Sequence, residues 1–252
     1  MPSTSQQPED YELLLPSNPD SAEPPKLPMG QEEGFMKAEG RNGDAAARNV
    51  ALAGALTILT TTWITVLSNN PTAVGWFAFH PLLQTLAIFL FVYGILTLQP
   101  TSQPRTKAAG LARHQTAILL IGFPSIFLGT LAVSYNKWLR DANHFTTWHG
   151  KFGLLSMIWL FIQIFLGAGS VWFNGAAFGG GAKAKAIWKY HRLSGYVLFL
   201  LLLLTVHLGG GWSNWGAKYS PLFIRIIAYT VAPVMLIGGI YTRVRPSKMQ
   251  FF

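Results

Sequence analysis

The chain has 252 residues, 50% of them hydrophobic and only 12% charged. That charged fraction is about half of the ~25% usual in soluble domains, and a surface this apolar is stable only against lipid. The absence of cysteine excludes disulfides, iron–sulfur clusters and every thiolate-based site.

Residues 1–47 are rich in Pro, Ser, Gly and acids, with nine acids against three bases. Such a stretch buries too little apolar surface to offset its ordering entropy, so a disordered acidic tail is expected. Within it, EDYELLL (9–15) matches an acidic dileucine sorting pattern, one short enough to arise by chance. No basic start followed by an apolar core is present, so no cleavable signal peptide is expected and the first span acts as the membrane-entry signal.

Six apolar stretches follow, at 49–68, 77–98, 113–134, 148–172, 191–212 and 220–242. Each is near the ~20 residues a bilayer-crossing helix needs. The expected fold is an all-α membrane protein: a six-span domain over 48–243, then a short tail over 244–252. Pro124 and Pro233 fall inside spans, where neighbouring helices tolerate a lost hydrogen bond.

Six spans put both ends of the chain on one side. The tail-side loops carry twelve bases (Arg41, Arg48, Arg105, Lys107, Arg113, Lys183, Lys185, Lys189, Arg192, Arg243, Arg245, Lys248). The opposite side carries five (Lys137, Arg140, Lys151, Lys218, Arg225). This bias predicts that both termini are cytoplasmic. Because the bases sit in short loops between spans, they read as topology signals and not as a nucleic-acid surface.

Of six histidines, four (His80, His114, His149 and His191) stand one apiece near the beginnings of spans two, three, four and five. Even-numbered spans enter from the outer side and odd-numbered ones from the cytoplasm. His80 and His149 therefore share the outer level, and His114 and His191 the cytoplasmic level. Two spans running the same way, each with an imidazole at matching depth, can clamp one iron. A b-type haem needs neutral imidazole on both axial faces and no covalent link, and a four-helix interior in lipid suits its flat apolar ring. Gly153 and Gly195, four residues after His149 and His191, and Ala117, three after His114, offer room on the same faces. A lone His near a span end usually sits at headgroup level or bonds a neighbouring helix. Four, paired by level across consecutive spans, point to two haems. The spans contain neither Asp nor Glu, which disfavours a proton-coupled carrier or pump.

The segments FAFHPLLQ (77–84), ARHQTAILL (112–120), WHGKFGLLSMIWLFIQIFLG (148–167) and KYHRLSGY (189–196) resemble the eukaryotic cytochrome b561 family of transmembrane ascorbate-dependent oxidoreductases. The match runs from about Leu52 to Arg243. His144, His149 and Gly150, with Tyr190, His191, Ser194 and Gly195, look closest to its small branch of b561 domain-containing proteins. The resemblance implies a di-haem bundle of spans two to five, with one haem between His80 and His149 and the other between His114 and His191. It implies cytosolic ascorbate as donor, with monodehydroascorbate or a ferric chelate as acceptor on the far side. A homodimer in an endomembrane (vacuole, ER or vesicle) or the plasma membrane fits the same family. Family members receive ascorbate on basic residues just before the third-span His, where this chain has Arg105, Lys107 and Arg113. The match is of charge type, and positive-inside topology explains the same residues. Lys183, Lys185, Lys189 and Arg192 border the same mouth.

His144 lies in an outer loop, where it either meets an incoming metal or is simply solvated. His207, sixteen residues after His191, points about 160° away from it and is expected to pack or cap. Lys151 reaches either haem propionates or headgroups. Trp148 and Tyr190 read as interfacial belt residues.

Flavin-dependent ferric reductases also stack two haems, but they take all ligands from two helices and carry a nucleotide-binding domain; no G-x-G-x-x-G fingerprint follows a strand here. A haem-free channel or carrier would have no reason to match its histidines in depth. A haem sensor would bind haem and pass no electron.

Overall fold

The computed structural model describes residues 39–99 and 101–249. The 9–15 pattern and most of the acidic tail lie outside them. Among the described residues there is no strand, and six helices are long and apolar enough to cross a membrane. They are α1 (Asp44–Ser68), α2 (Pro71–Leu98), α3 (Pro104–Leu139), α4 (Trp148–Val171), α5 (Gly181–Gly211) and α6 (Leu222–Tyr241). The protein is an integral multi-pass membrane protein. Less than half of each span is buried within the chain, and large side chains such as Leu120, Phe165, Phe223 and Val234 face outward, as lipid contact requires.

Two helices run well past their apolar cores. The sequence places span three from residue 113, but α3 starts at Pro104; span five is expected from 191, but α5 starts at Gly181. Hydropathy registers only the part immersed in lipid. The added turns, rich in Ala, Lys and Arg, are good helix formers in water, and Pro104 suits a first turn.

Both internal prolines follow a widened turn. The π-helical turns Gln115–Gly122 and Ile227–Val231 end just before Pro124 and Pro233. Proline supplies no N–H and crowds the carbonyl four residues back, so the local backbone loosens upstream. A third π turn, His207–Gly211, closes α5.

α1 packs along α6 and α2, α2 along α3, and α4 along α5. Small residues set the first contact: a Cβ on Gly239 would meet the Ala51 side chain, and one on Gly54 the Ala232 carbonyl. By contrast, α2 and α4 face each other with almost no close backbone approach, and so do α3 and α5. Those two gaps position the site.

The side on which α1 begins and α6 ends, the chain-end side, is stitched by polar contacts. The Glu39 carboxylate accepts from Ser102 N (2.7 Å), Gln103 N (2.6 Å) and Thr106 Oγ1 (2.7 Å), which caps α3 where its own residues provide no side-chain cap. Partial burial opposes ionisation of Glu39, but these donors outweigh it and lower its pKa to about 2. Asp44, in the first turn of α1, is held by Arg245, while Arg243 donates to the carbonyls of Asp44 and Gln99.

Candidate functional site

The two gaps between helices are each bridged by a pair of imidazoles. His80 of α2 and His149 of α4 stand with ring centres 5.9 Å apart and planes at 84°. His114 of α3 and His191 of α5 stand 6.4 Å apart at 85°. Two imidazoles on opposite sides of one metal ion, each bonded at about 2 Å, have ring centres about 6 Å apart. Among the described residues no three His, Asp or Glu side chains gather at one place. Two opposed donors without a third suit an iron that brings its own equatorial ring, so the residues fit b-type haem.

Hydrogen bonds orient three of the four rings. His80 Nδ1 meets the Gly129 carbonyl of α3 at 3.1 Å, and His114 Nδ1 the Gly94 carbonyl of α2 at 3.1 Å. His149 Nδ1 meets the Thr205 carbonyl of α5 at 2.9 Å. A carbonyl only accepts, so Nδ1 carries the proton and the Nε2 lone pair is left for a metal. His191 differs. The Gln163 carbonyl faces its ring, but Nδ1 does not reach it in ordinary hydrogen-bond geometry.

Each helix thus carries an imidazole near the start of its apolar core and, some turns later, a small-residue seat for its neighbour's imidazole. On α4, Gly167 lies against the His191 ring, where a Cβ would come within 2.8 Å of Cε1. On α5, Gly209 lies against the His149 ring, where a Cβ would come within 2.6 Å of Cε1. Both glycines follow their own helix's His by 18 residues, five turns at 3.6 residues each, and so lie on its face. His80 and Gly94 are 14 residues apart on α2, which separates the two levels by about 21 Å. Thr147 Oγ1 caps α4 by accepting from Gly150 N at 3.2 Å, fixing the turn that presents His149.

The glycines that crowd the rings are not the ones expected from position alone. Gly195 makes room for Gln163, whose Nε2 would sit 2.7 Å from an added Cβ; Gly153 is in ordinary contact with Thr205. Gln163 donates to the His191 carbonyl at 3.0 Å and accepts from Ser194 Oγ at 3.0 Å, locking α4 to α5. Gln84 has the matching role at the other level, donating to the Ile126 carbonyl and Thr130 Oγ1 at 3.0 Å each, one turn from His80. A polar side chain in lipid costs free energy unless paired, so a Gln in each of two apolar spans is the signal that marks both.

His207 packs as expected. Its Nδ1 meets the Tyr229 carbonyl at 2.8 Å and its Nε2 accepts from Trp212 Nε1 at 2.9 Å. His144 is exposed in the α3–α4 loop. Arg105, Lys107 and Arg113 are exposed on the chain-end extension of α3. Lys107 precedes His114 by seven residues and shares its face; Arg105 precedes it by nine and lies on the opposite face. Lys151 lies over the ring of exposed Trp148 at 4.9 Å, and Lys189 over that of Tyr190 at 5.3 Å.

The profile of eukaryotic cytochrome b561 matches residues 79–215, which contain all four paired histidines. The chain belongs to the cytochrome b561 family. It is similar to proteins named "Transmembrane reductase CYB561D2": 31% identical to that of Bos taurus over 144 residues, 56% of this chain and 63% of the relative. The Homo sapiens protein is 30% identical over 152 residues (59% and 66%) and the Mus musculus protein 30% over 186 (73% and 79%). The chain thus spans just under two thirds of the bovine and human relatives' length. The b561 match ends at residue 215, so α6 and the residues before α2 lie outside it.

Proposed function

We propose that this protein carries electrons across a membrane through two b-type haems, one held by His80 and His149 and the other by His114 and His191. Each haem, when bound, supplies a one-electron iron couple. The observation that carries the reading is the pair of cross-helix imidazole couples, at 5.9 and 6.4 Å, on two levels of one bundle. The relatives' name as transmembrane reductases supports the same direction.

The chain's own residues do the holding. Carbonyls of Gly129, Gly94 and Thr205 keep the proton on Nδ1 and aim Nε2 inward. Gly167 and Gly209 let the rings lie against the neighbouring helix, and apolar spans exclude water from both levels. The basic side, with both chain ends, is assigned to the cytoplasm. There Lys107 and Arg113, below His114, attract anionic ascorbate through charge-assisted hydrogen bonds; Arg105 assists by field alone. On the opposite side monodehydroascorbate or a ferric chelate takes the electron near exposed His144. Vesicles loaded with ascorbate and containing the purified protein should reduce an external ferric chelate, and His80→Ala should stop this while ascorbate still reduces the remaining haem. A colourless preparation from haem-replete cells would refute the reading.

A further inference from the structure

The last turn of α5 must hold a seat that its own residues are poorly suited to hold. It is the π turn His207–Gly211, which contains three consecutive glycines, and Gly is the poorest helix former after proline. Contact demands the glycines: Gly209 lies against the His149 ring, and a Cβ on Gly210 would overlap the Tyr229 ring of α6. A turn with so much backbone freedom keeps Gly209 in place only if it is anchored from outside.

The anchors are polar and come from both ends of the turn and from α6. Ser213 Oγ donates to the Gly209 carbonyl, and Arg225 Nη1 of α6 donates to the Gly211 carbonyl at 2.7 Å. His207 joins the two helices. Its Nδ1 meets the Tyr229 carbonyl at 2.8 Å, with Thr230 Oγ1 at 3.2 Å from the same nitrogen. A carbonyl only accepts, so Nδ1 donates and Nε2 accepts from Trp212 Nε1 at 2.9 Å. The first residue of the turn is thereby tied to the residue just after it. Tyr229 stands four residues before Pro233, which has no N–H to offer its carbonyl in the α pattern, and His207 supplies one. The Tyr229 hydroxyl in turn bonds Thr62 Oγ1 of α1 at 2.9 Å.

His207 stands behind the surface that fixes His149. The Thr205 carbonyl, two residues before it, meets His149 Nδ1 at 2.9 Å, and Gly209, two residues after it, backs the same ring. At 100° per residue each lies about 160° round from His207. The front of the turn bears on a paired imidazole while its back is pinned to α6. Gly167, the seat for His191, lies within the regular α-helix Trp148–Val171 and has no such turn to hold.

We propose that His207 is a positioning residue for the His80–His149 level: pinned to the Tyr229 carbonyl and to Trp212, it holds Gly209 against His149 and so sets the orientation of that imidazole. The inference rests on the haem reading above, and it gives α6, which lies outside the cytochrome b561 match, a part in that site.

The test compares His207→Leu, which removes both ring nitrogens, with His207→Asn, whose amide N–H replaces Nδ1, in the full-length holoprotein. Trp212→Phe breaks only the indole bond, at an exposed ring. Electron paramagnetic resonance of the oxidised protein and redox titration are read for each centre, the His80–His149 centre being the one lost in His80→Ala. His207→Leu should displace or abolish the low-spin signal of that centre, shift its midpoint, and leave the other centre at wild-type values. His207→Asn should lie closer to wild type, and Trp212→Phe should give a smaller shift at the same centre. Where His207→Leu does not fold, Trp212→Phe decides by the same readings. Unchanged signals and midpoints, equal displacement of both centres, or a His207→Asn no closer to wild type than His207→Leu would overturn the positioning role. A wild-type protein with fewer than two haems overturns the proposed function instead.

Discussion

Gly209→Ala tests whether the imidazoles are held by the backbone seats. The new Cβ would fall 2.6 Å from His149 Cε1 and 2.7 Å from Nδ1. Carbon atoms in contact prefer about 3.5–4.0 Å, so the ring must retreat by about 1 Å. Metal–ligand bonds tolerate only about 0.2 Å, so axial ligation at that level is lost. Ala is the better helix former by about 1 kcal/mol, against an overpacking cost of about 1–3 kcal/mol, so the helix itself persists. Gly167→Ala should act likewise on His191, where the Cβ would meet Cε1 at 2.8 Å. Gly153→Ala is the control, since its Cβ would meet only Thr205 Cγ2 at 3.8 Å. Haem content and the low-spin absorption spectrum of the purified proteins decide the matter. Each of the first two variants should lose one low-spin haem of two, and the control none. Two unaltered low-spin haems in Gly209→Ala would refute the reasoning.

The other predictions concern the remaining parts of the bundle. His114→Ala or His191→Ala should abolish reduction by ascorbate, whereas His80→Ala or His149→Ala should leave one ascorbate-reducible haem; difference spectra separate the two, and loss of the His114 haem in His80→Ala would break the pairing. Gln163→Leu removes the donor to the His191 carbonyl and leaves the Ser194 hydroxyl without its acceptor, costing about 1–3 kcal/mol, read as a lower thermal midpoint in detergent. Glu39 has a depressed pKa, so its capping contribution is complete above the ordinary carboxylate value of about 4.5 and lost as pH falls through about 2. Glu39→Ala should therefore speed hydrogen exchange at Ser102 and Gln103 several-fold at pH 7, the loss of a cap worth about 1 kcal/mol.

The spans and the four histidines were legible because both signals are local. A bilayer demands ~20 apolar residues, and one His near the start of each inner span is visible without tertiary information. Direction of travel then placed His80 level with His149 and His114 level with His191, and the rings do stand side by side. The seats were harder. Gly167 and Gly209 matter only once α4 and α5 are known to be antiparallel neighbours, although the equal 18-residue interval from each His is written in the sequence. Proximity in sequence pointed to Gly153 and Gly195, which serve Thr205 and Gln163 contacts instead. The polar first turns of α3 and α5 escaped because hydropathy detects lipid and not helix. The Glu39 cap joins residues more than sixty positions apart and carries no periodic signature.

The most direct test of the central claim is electron paramagnetic resonance of the purified, oxidised protein with spins counted per chain. The paired imidazole planes stand at 84° and 85°; an iron held between rings so crossed would give a strongly anisotropic low-spin ferric signal. The account predicts two such centres per chain. A high-spin ferric signal, a single centre, or no haem signal would contradict it.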